Sequence, residues 1–406
     1  MNKNASIRIL LVDDEPLLLK LLARKLTDLG FTSITACSSG AAALVSIDSD
    51  QVPPDLIVSD LNMPEMDGIE FVRHLVERRF AGSLVFLSGE DERTLQSAEK
   101  LARTHTLSVL GSLRKPVTPE ALRALFDTWS PPLAVPMRPR KKAYTGDEVR
   151  TAIAKRELIN YYQPKVAVAD GHVVGVEALV RWRHPVDGMV YPDQFIGVAE
   201  ANGLIDDLTR VVLSDALAQS RNWHDAGLAL RVAVNISMDN LASIDFADFV
   251  ISQAAQAGVA AKDLVLEVTE SRLMGDQRVP LEILTRLRLK RFRLSIDDFG
   301  TGHSSLSQLR DIPFDELKID QSFVHGAASN NTARAIFDAS LGLAQQLNME
   351  IVAEGVEDQA DWDFLQSTGC HLAQGYFIAR PMPDAEIPGW IETWQARLGE
   401  LLPTPK

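Results

Sequence analysis

Apolar residues recur along this chain in short runs, each closed by polar or glycine-containing positions and followed by a stretch of helical period or a loop. In residues 7–129 the runs are Ile7–Val12, a weaker one near Ile34, Leu56–Ser59, Leu84–Leu87 and Leu107–Leu110. Helical patterns such as Leu17–Leu29 and Gly68–Arg78 lie between them. Five strand–helix units in this order predict an α/β domain with a doubly wound, five-stranded parallel sheet. Beyond residue 145 there are eight more: Tyr161–Val168, Val173–Trp182, Leu230–Ser237, Leu264–Glu270, Phe292–Asp298, Glu316–Phe323, Glu350–Glu357 and Gln374–Ala379. Eight strands alternating with helices predict a (β/α)8 barrel. Its chemistry would sit at the C-terminal strand ends, above an interior of branched apolar side chains.

Between the two patterns, Ser130–Ala143 contains Pro131, Pro132, Pro136 and Pro139 and a basic cluster of Arg138, Arg140, Lys141 and Lys142. Prolines without apolar periodicity read as a semi-rigid linker, and its charge reads most simply as solvated. Thr145-Gly146-Asp147-Glu148 has the form of a capping box opening a helix through Arg156. The expected organisation is 1–129 for the first domain, 130–144 for the linker and 145–406 for the second.

Composition narrows the choice of partner. The chain has 406 residues and a net charge of −14, which argues against a general binder of nucleic acid or anionic membrane. The two cysteines, Cys37 and Cys370, are too far apart to suggest a disulfide framework or a metal finger, and fit a reducing cytoplasm. No signal-peptide pattern opens the chain, and no apolar run is long enough to cross a bilayer.

The chemistry lies at the ends of the runs. In the first domain Asp13, Asp14, Asp60, Ser88 and Lys115 fall at or just beyond strand ends, where doubly wound sheets bind ligands. Three carboxylates with one lysine make either an Mg²⁺ and phosphate pocket or a structural ion-pair cluster. In the second domain the strand-end residues are Glu177, Asn235, Glu267, Asp297 with Asp298, Lys318, Glu354 and Gln374. Adjacent carboxylates such as Asp297 and Asp298 repel unless a cation lies beside them, so the pair points to a divalent metal site. Gly300 and Gly302 in the loop that follows could let backbone approach a ligand.

Val176-Glu177-Ala178-Leu179-Val180-Arg181-Trp182 resembles the signature of the EAL-domain phosphodiesterases, which hydrolyse the bacterial second messenger cyclic di-GMP. The likeness runs from about Tyr161 to Pro383 and includes Gln163-Pro164, Val234-Asn235-Ile236-Ser237, Leu266 to Ser271, Asp297 to Gly302, Leu317 to Asp320, Ala353 to Glu357 and Gln374-Gly375-Tyr376. The resemblance implies a TIM-like barrel with two Mg²⁺ or Mn²⁺ ions. One would be held by Glu177, Asn235, Glu267 and Asp297, the other by Asp297, Asp298 and Glu354. It further implies that Lys318 contacts the hydrolytic water, making Lys318, Glu177 and Glu354 the catalytic set. Gln163, Leu179, Arg181, Asp320 and Gln374 would surround the dinucleotide, and Glu270 would steady the Asp298–Ser305 loop. The loop position that is often tyrosine is His303 here.

The first domain resembles the receiver of two-component response regulators, through Val12 to Pro16, Ser59 to Gly68 and Lys115-Pro116. By that likeness the fold is flavodoxin-like, Asp60 accepts a phosphoryl group from a histidine kinase and Asp13 and Asp14, with Asp60, hold Mg²⁺. Ser88 takes the switch hydroxyl position and Lys115 contacts the phosphate. Receivers usually carry an aromatic residue three before the lysine, and Ser112 stands there instead. Together the two likenesses imply a cytoplasmic response regulator that linearises cyclic di-GMP to pGpG, tuned by phosphorylation through domain arrangement or homo-oligomer formation. The alternative is a receptor that binds cyclic di-GMP without turnover and signals through a protein partner, but such relatives usually lack a metal ligand and none is missing here. A DNA-binding output is disfavoured, since the second half has no helix-turn-helix pattern or basic recognition stripe.

Overall fold

The computed structural model describes residues 7–49, 52–78, 80–89, 92–105, 107–129, 142–269, 278–300 and 306–401. The chain divides into two compact units, Met1–Arg140 and Lys141–Lys406.

In the first unit the strands are β1 (Arg8–Val12), β2 (Ser33–Cys37), β3 (Leu56–Asp60), β4 (Ser83–Ser88) and β5 (Ser108–Arg114), all parallel in the order β2-β1-β3-β4-β5. Alternation distributes their side chains to two cores. Leu10, Val12, Ile57 and Phe86 join one, while Ile9, Leu11, Val58 and Val85 join the other. The faintness of β2 in the sequence has a physical cause. It is an edge strand whose residues are mostly exposed, so little apolar character is required of it. Two of the unit's helices begin where a side chain satisfies free N–H groups: Asp67 accepts from Ile69 and Glu70, and Thr118 accepts from Ala121.

The second unit opens with the expected capping box at Thr145 and Glu148, on a helix that runs from Gly146 to Ala154. Its strands are β6 (Leu158–Ala167), β7 (Val173–His184), β8 (Gly188–Val190), β9 (Arg231–Ile236), β10 (Leu264–Thr269), β11 (Arg293–Phe299), β12 (Glu316–Ile319), β13 (Glu350–Ala353), β14 (Leu372–Ala373) and β15 (Met382–Pro383). Eight of them close a barrel: β6 pairs with both β7 and β14, and β7 leads through β9 to β14 in order. Helices such as Ile205–Asp225, Asp245–Ala257 and Asn331–Gln346 bury apolar faces against the outer surface of the strands.

Three details depart from regular alternation. A turn alone joins β6 to β7, with no helix between them, so β6 runs antiparallel to both of its barrel neighbours. The eighth run, expected as a strand over Gln374–Ala379, is a turn, and the strand is the dipeptide Leu372–Ala373 before it. At Gly375 two backbones come so close that a Cβ would lie 2.2 Å from the Val356 carbonyl oxygen. There Val356 N–H donates to Gln374 O and Phe377 N–H to Val356 O, which ties the turn to the loop that follows β13. The run Glu316–Phe323 likewise stops early, because Asp320 caps a short helix over Gln321–Val324.

Candidate functional site

Strand direction and alternation bring the barrel's polar residues to one rim. Gln163 on the reversed β6 pairs in register with Glu177 on β7, and Glu267 on β10 lies beside Asn235 on β9 and Ser295 on β11. Asp297 and Asp298 are consecutive, so a regular strand would send them to opposite faces. Instead the β11–β12 register shifts between Ile296 and Phe299, and Asp298 adopts φ = 55°, a left-handed conformation that aspartate tolerates better than most residues. Both carboxylates thereby reach the rim. Gly300, at φ = 98°, continues the turn where an added Cβ would lie 2.9 Å from the Phe323 ring.

The centre of the site is Lys318, whose side chain is 1% exposed. Its Nζ lies 2.7 Å from Glu354 Oε1, 2.9 Å from Glu267 Oε2, 3.0 Å from Asp297 Oδ1 and 3.4 Å from Glu177 Oε2. Burial opposes its charge, yet the surrounding carboxylates outweigh that penalty and raise its pKa well above the usual lysine range. Asn235 Nδ2 donates to Glu177 Oε1 and Gln374 Nε2 to Glu177 Oε2, each at 2.7 Å. Burial alone would raise the Glu177 pKa, but Lys318, Lys165 and these two amides bring it down to about 2. Glu267 goes the other way, to about 7, because burial and then the Glu177 charge outweigh its lysines. Burial also raises Glu354, and burial with the Asp297 charge raises Asp298 to about 6.

The carboxylates form two overlapping sets. Ligand oxygens of Glu177, Glu267 and Asp297 lie within 4.8 Å of one another, as do those of Asp297, Asp298 and Glu354. Neither set contains Cys or His, and oxygen donors of this kind fit hard divalent ions. A cavity of about 350 Å³ opens over them, lined also by Leu179, Asp320 and Tyr376, with Gln163 and Gln374 in its wall. Gln163 Nε2 donates to Ala379 O and Gln374 Nε2 to Gln163 Oε1, while the buried Gln374 Oε1 has no hydrogen-bond partner. A second cavity, of about 240 Å³ and largely apolar, shares Leu179 with the first, is lined also by Asn235 and is bounded by Pro192, Ile196 and Leu208. Arg181 is outside the lining of both, buried between the rings of Tyr161 and Tyr191. Glu270 and His303 fall outside the described residues.

Two residues absent from the sequence-based set belong to this centre. Lys165 Nζ lies 2.5 Å from Glu267 Oε1 and 3.2 Å from Glu316 Oε1, and all three side chains are buried. The interior under the rim is therefore not wholly apolar, contrary to the expectation for such barrels. The available signal was spacing. Lys165 is two residues from Gln163 and Glu316 two from Lys318, which places each on the inward face of its strand.

In the first unit Asp13 and Asp60 are buried at the carboxyl ends of β1 and β3. Lys115, just past β5, places Nζ 2.8 Å from Asp13 Oδ2 and 2.7 Å from Asp60 Oδ2. Its burial is outweighed by these two carboxylates, which raise its pKa. Asp14 completes a set whose ligand oxygens lie within 4.8 Å of one another. Ser88 ends β4 and accepts the Lys115 N–H through its carbonyl. Ser112 lies on β5 opposite Phe86.

Comparison with known proteins follows this division. A model of the EAL domain matches residues 147–381, and a model of the response regulator receiver domain matches residues 9–127. The chain is similar to the cyclic di-GMP phosphodiesterase RocR of Pseudomonas aeruginosa, 31% identical over 381 residues that cover 93% of this chain and 97% of RocR. It is also similar to the cyclic di-GMP phosphodiesterase NbdA of the same organism, 45% identical over 262 residues that cover 64% of this chain. That match spans 33% of NbdA, so the chain covers about a third of the length of this and other curated relatives that it matches through the barrel. Among solved structures, the PaMucR phosphodiesterase in its c-di-GMP complex aligns with a TM-score of 0.57 at 42% identity, covering 59% of this chain and 98% of that one. Among the described residues, no helix is long and apolar enough to cross a membrane.

Proposed function

The chain belongs to the EAL-domain family and joins that domain to a response regulator receiver domain, and from this premise we propose that its barrel hydrolyses cyclic di-GMP to linear pGpG. The observation that carries the reading is the pair of carboxylate sets sharing Asp297 around the buried Lys318 ammonium. Glu177, Glu267 and Asp297, with the Asn235 amide oxygen, would hold one divalent ion, and Asp297, Asp298 and Glu354 a second. Mg²⁺ or Mn²⁺ suits such donors. Ions bound there supply an acidified water and neutralise the charge that gathers on the phosphodiester as its leaving oxygen departs.

The rest of the step falls to side chains. Lys318 stays protonated among its carboxylates, so it donates hydrogen bonds and orients the attacking water rather than removing a proton from it. Glu177, kept ionised by its two amide donors, and Glu354 complete the catalytic set. Gln163, Leu179, Asp320 and Gln374 border the acidic cavity and contact the dinucleotide, with the neighbouring apolar cavity suited to a base. Arg181 answers a phosphate or the edge of a base, steadied by Tyr161 and Tyr191. Glu270 steadies the loop after Asp298.

Residues 1–129 form the receiver, 130–144 the linker and 145–406 the output domain in this reading. Asp60 takes a phosphoryl group from a cognate histidine kinase while Asp13, Asp14 and Asp60 hold Mg²⁺, Lys115 pairs with a phosphoryl oxygen and Ser88 provides the switch hydroxyl. The protein would act in the cytoplasm as a homo-oligomer whose arrangement answers to phosphorylation. The test is turnover of cyclic di-GMP by the purified chain with Mg²⁺, with Mn²⁺ and without metal, the products separated by chromatography. Metal-dependent pGpG is expected. Tight binding without product would overturn the enzyme reading.

A further inference from the structure

Under the rim the barrel carries a second charged layer. Because β6 runs against its neighbours, every second residue along it steps downward through the interior. Gln163 is at the rim, Lys165 lies below, and Ala167 packs with Val352 and Leu372 in an apolar floor. Lys165 meets Glu267 Oε1 at 2.5 Å while Lys318 meets Glu267 Oε2 at 2.9 Å. Glu267, itself 0% exposed, is therefore gripped by two ammonium groups, one on each oxygen. Glu316 Oε1, at 3.2 Å, supplies the anion that balances Lys165.

Packing alone gives no reason for this arrangement. Barrel interiors at this depth are commonly filled by branched apolar residues, and replacing a buried ion pair by apolar residues of similar volume is often neutral or stabilising. What the pair adds is a fixed orientation for a carboxylate that faces the cation sites. We propose that Lys165, balanced by Glu316, is a positioning residue that anchors the lower oxygen of Glu267 so that the upper one is presented to the divalent cation. The inference rests on the reading of Glu267 as a metal ligand. Balancing matters because an uncompensated ammonium one layer down would repel the incoming ion.

The test is a calorimetric titration of the full chain with Mn²⁺, paired with thermal melting. Lys165→Met with Glu316→Leu removes both charges and keeps the volume, leaving Glu267 held by Lys318 alone. This double variant is expected to melt at or above the parent temperature and to bind Mn²⁺ about 10- to 100-fold more weakly, the usual loss when a partner that orients a ligand is removed. Lys165→Gln with Glu316→Gln keeps polar side chains at both positions and serves where the apolar pair does not fold. Its shorter amide stops short of Glu267, so Mn²⁺ binding weakens over the same range. A folded variant of either kind with the parent's Kd for Mn²⁺ would overturn this inference alone. A parent chain that takes up no Mn²⁺ would overturn the metal reading of the site and this inference with it.

Discussion

Lys318 Nζ and Glu354 Oε1 lie 2.7 Å apart, in a centre where the same ammonium also meets Glu267 and Asp297. One cation thus holds together carboxylates that would otherwise repel, and its removal strands buried negative charge. Lys318→Met should cost about 3–5 kcal/mol of stability in chelator, the range for breaking a buried pair. Mn²⁺ should restore much of that loss, since divalent ions neutralise the same oxygens. Turnover should fall by about 10²–10⁴-fold even with Mn²⁺ bound, because the water is no longer oriented. Melting with and without Mn²⁺, alongside turnover, checks both parts. A variant that melts like the parent in chelator would deny Lys318 its place as the organising charge.

The raised pKa of Glu267 makes the metal-free barrel sensitive to pH. Its value of about 7 exceeds the ordinary 4.5, so protonation favours the folded state. That contribution is complete below the ordinary value and is lost as pH rises through the raised one. In chelator, the parent should therefore lose stability relative to Glu267→Gln as pH climbs from about 5 to about 8. Mn²⁺ affinity should rise over the same interval, because bound metal requires the carboxylate ionised. Melting of the two proteins across that range reads the difference, and parallel curves would count against the assignment of the shift to Glu267.

In the receiver, Lys115 bridges Asp13 and Asp60 at 2.8 and 2.7 Å, an arrangement already suited to accept a phosphoryl oxygen. With Mg²⁺ and a small phosphodonor, the parent should gain a phosphoryl group detectable as a shift in intact mass. Asp60→Asn should gain none. Its turnover of cyclic di-GMP should also stop responding to the donor, whichever direction the parent's response takes. Identical rates for both proteins with and without donor would rule out a phosphorylation switch.

The two units differed in what could be read from the chain. Buried parallel strands such as Leu56–Asp60 are continuous apolar runs that end in a charged residue, so strand and candidate ligand were legible together. The same logic located Lys318 and the Asp297-Asp298 pair. Strand direction was legible in the gap between Tyr161–Val168 and Val173–Trp182: four residues cannot hold a crossover helix, so these two strands run antiparallel, although regular strand–helix alternation was expected. That reversal decides where Lys165 points. Leu372–Ala373 is too short to show any period, and the apolar positions just beyond it in Gln374–Ala379 form a longer run than the strand itself. Glu316 lies on the legible inward face of its strand, two positions before Lys318. The turn at Asp298 has no sequence signature beyond aspartate's tolerance of the left-handed region.

A final prediction concerns the loops behind the rim. Asp361, 1% exposed, accepts hydrogen bonds from His325 Nδ1 at 2.8 Å, Gly326 N at 2.9 Å and Glu357 N at 3.0 Å. Gly326 follows the strand of Lys318, and Glu357 follows that of Glu354, so one carboxylate ties together the loops of two neighbouring site strands. Asp361→Ala should cost about 2–4 kcal/mol, since it leaves two main-chain donors without their acceptor. The pH dependence has two limbs. His325 is raised above its ordinary 6.5, chiefly by its bond to Asp361, so its contribution is complete below that value and fades as pH rises through the raised one. For Asp361, burial pushes upward, but His325 and the two main-chain donors prevail and hold it below its ordinary 3.8. Its contribution is therefore complete above that value and fades as pH falls through the lowered one. The stability difference between parent and Asp361→Ala should be greatest between about pH 4 and about pH 6.5 and should shrink towards about pH 9. Chemical denaturation at those three values measures it, and a difference that stayed the same from about pH 6.5 to about pH 9 would show that the imidazole contributes nothing to the tie.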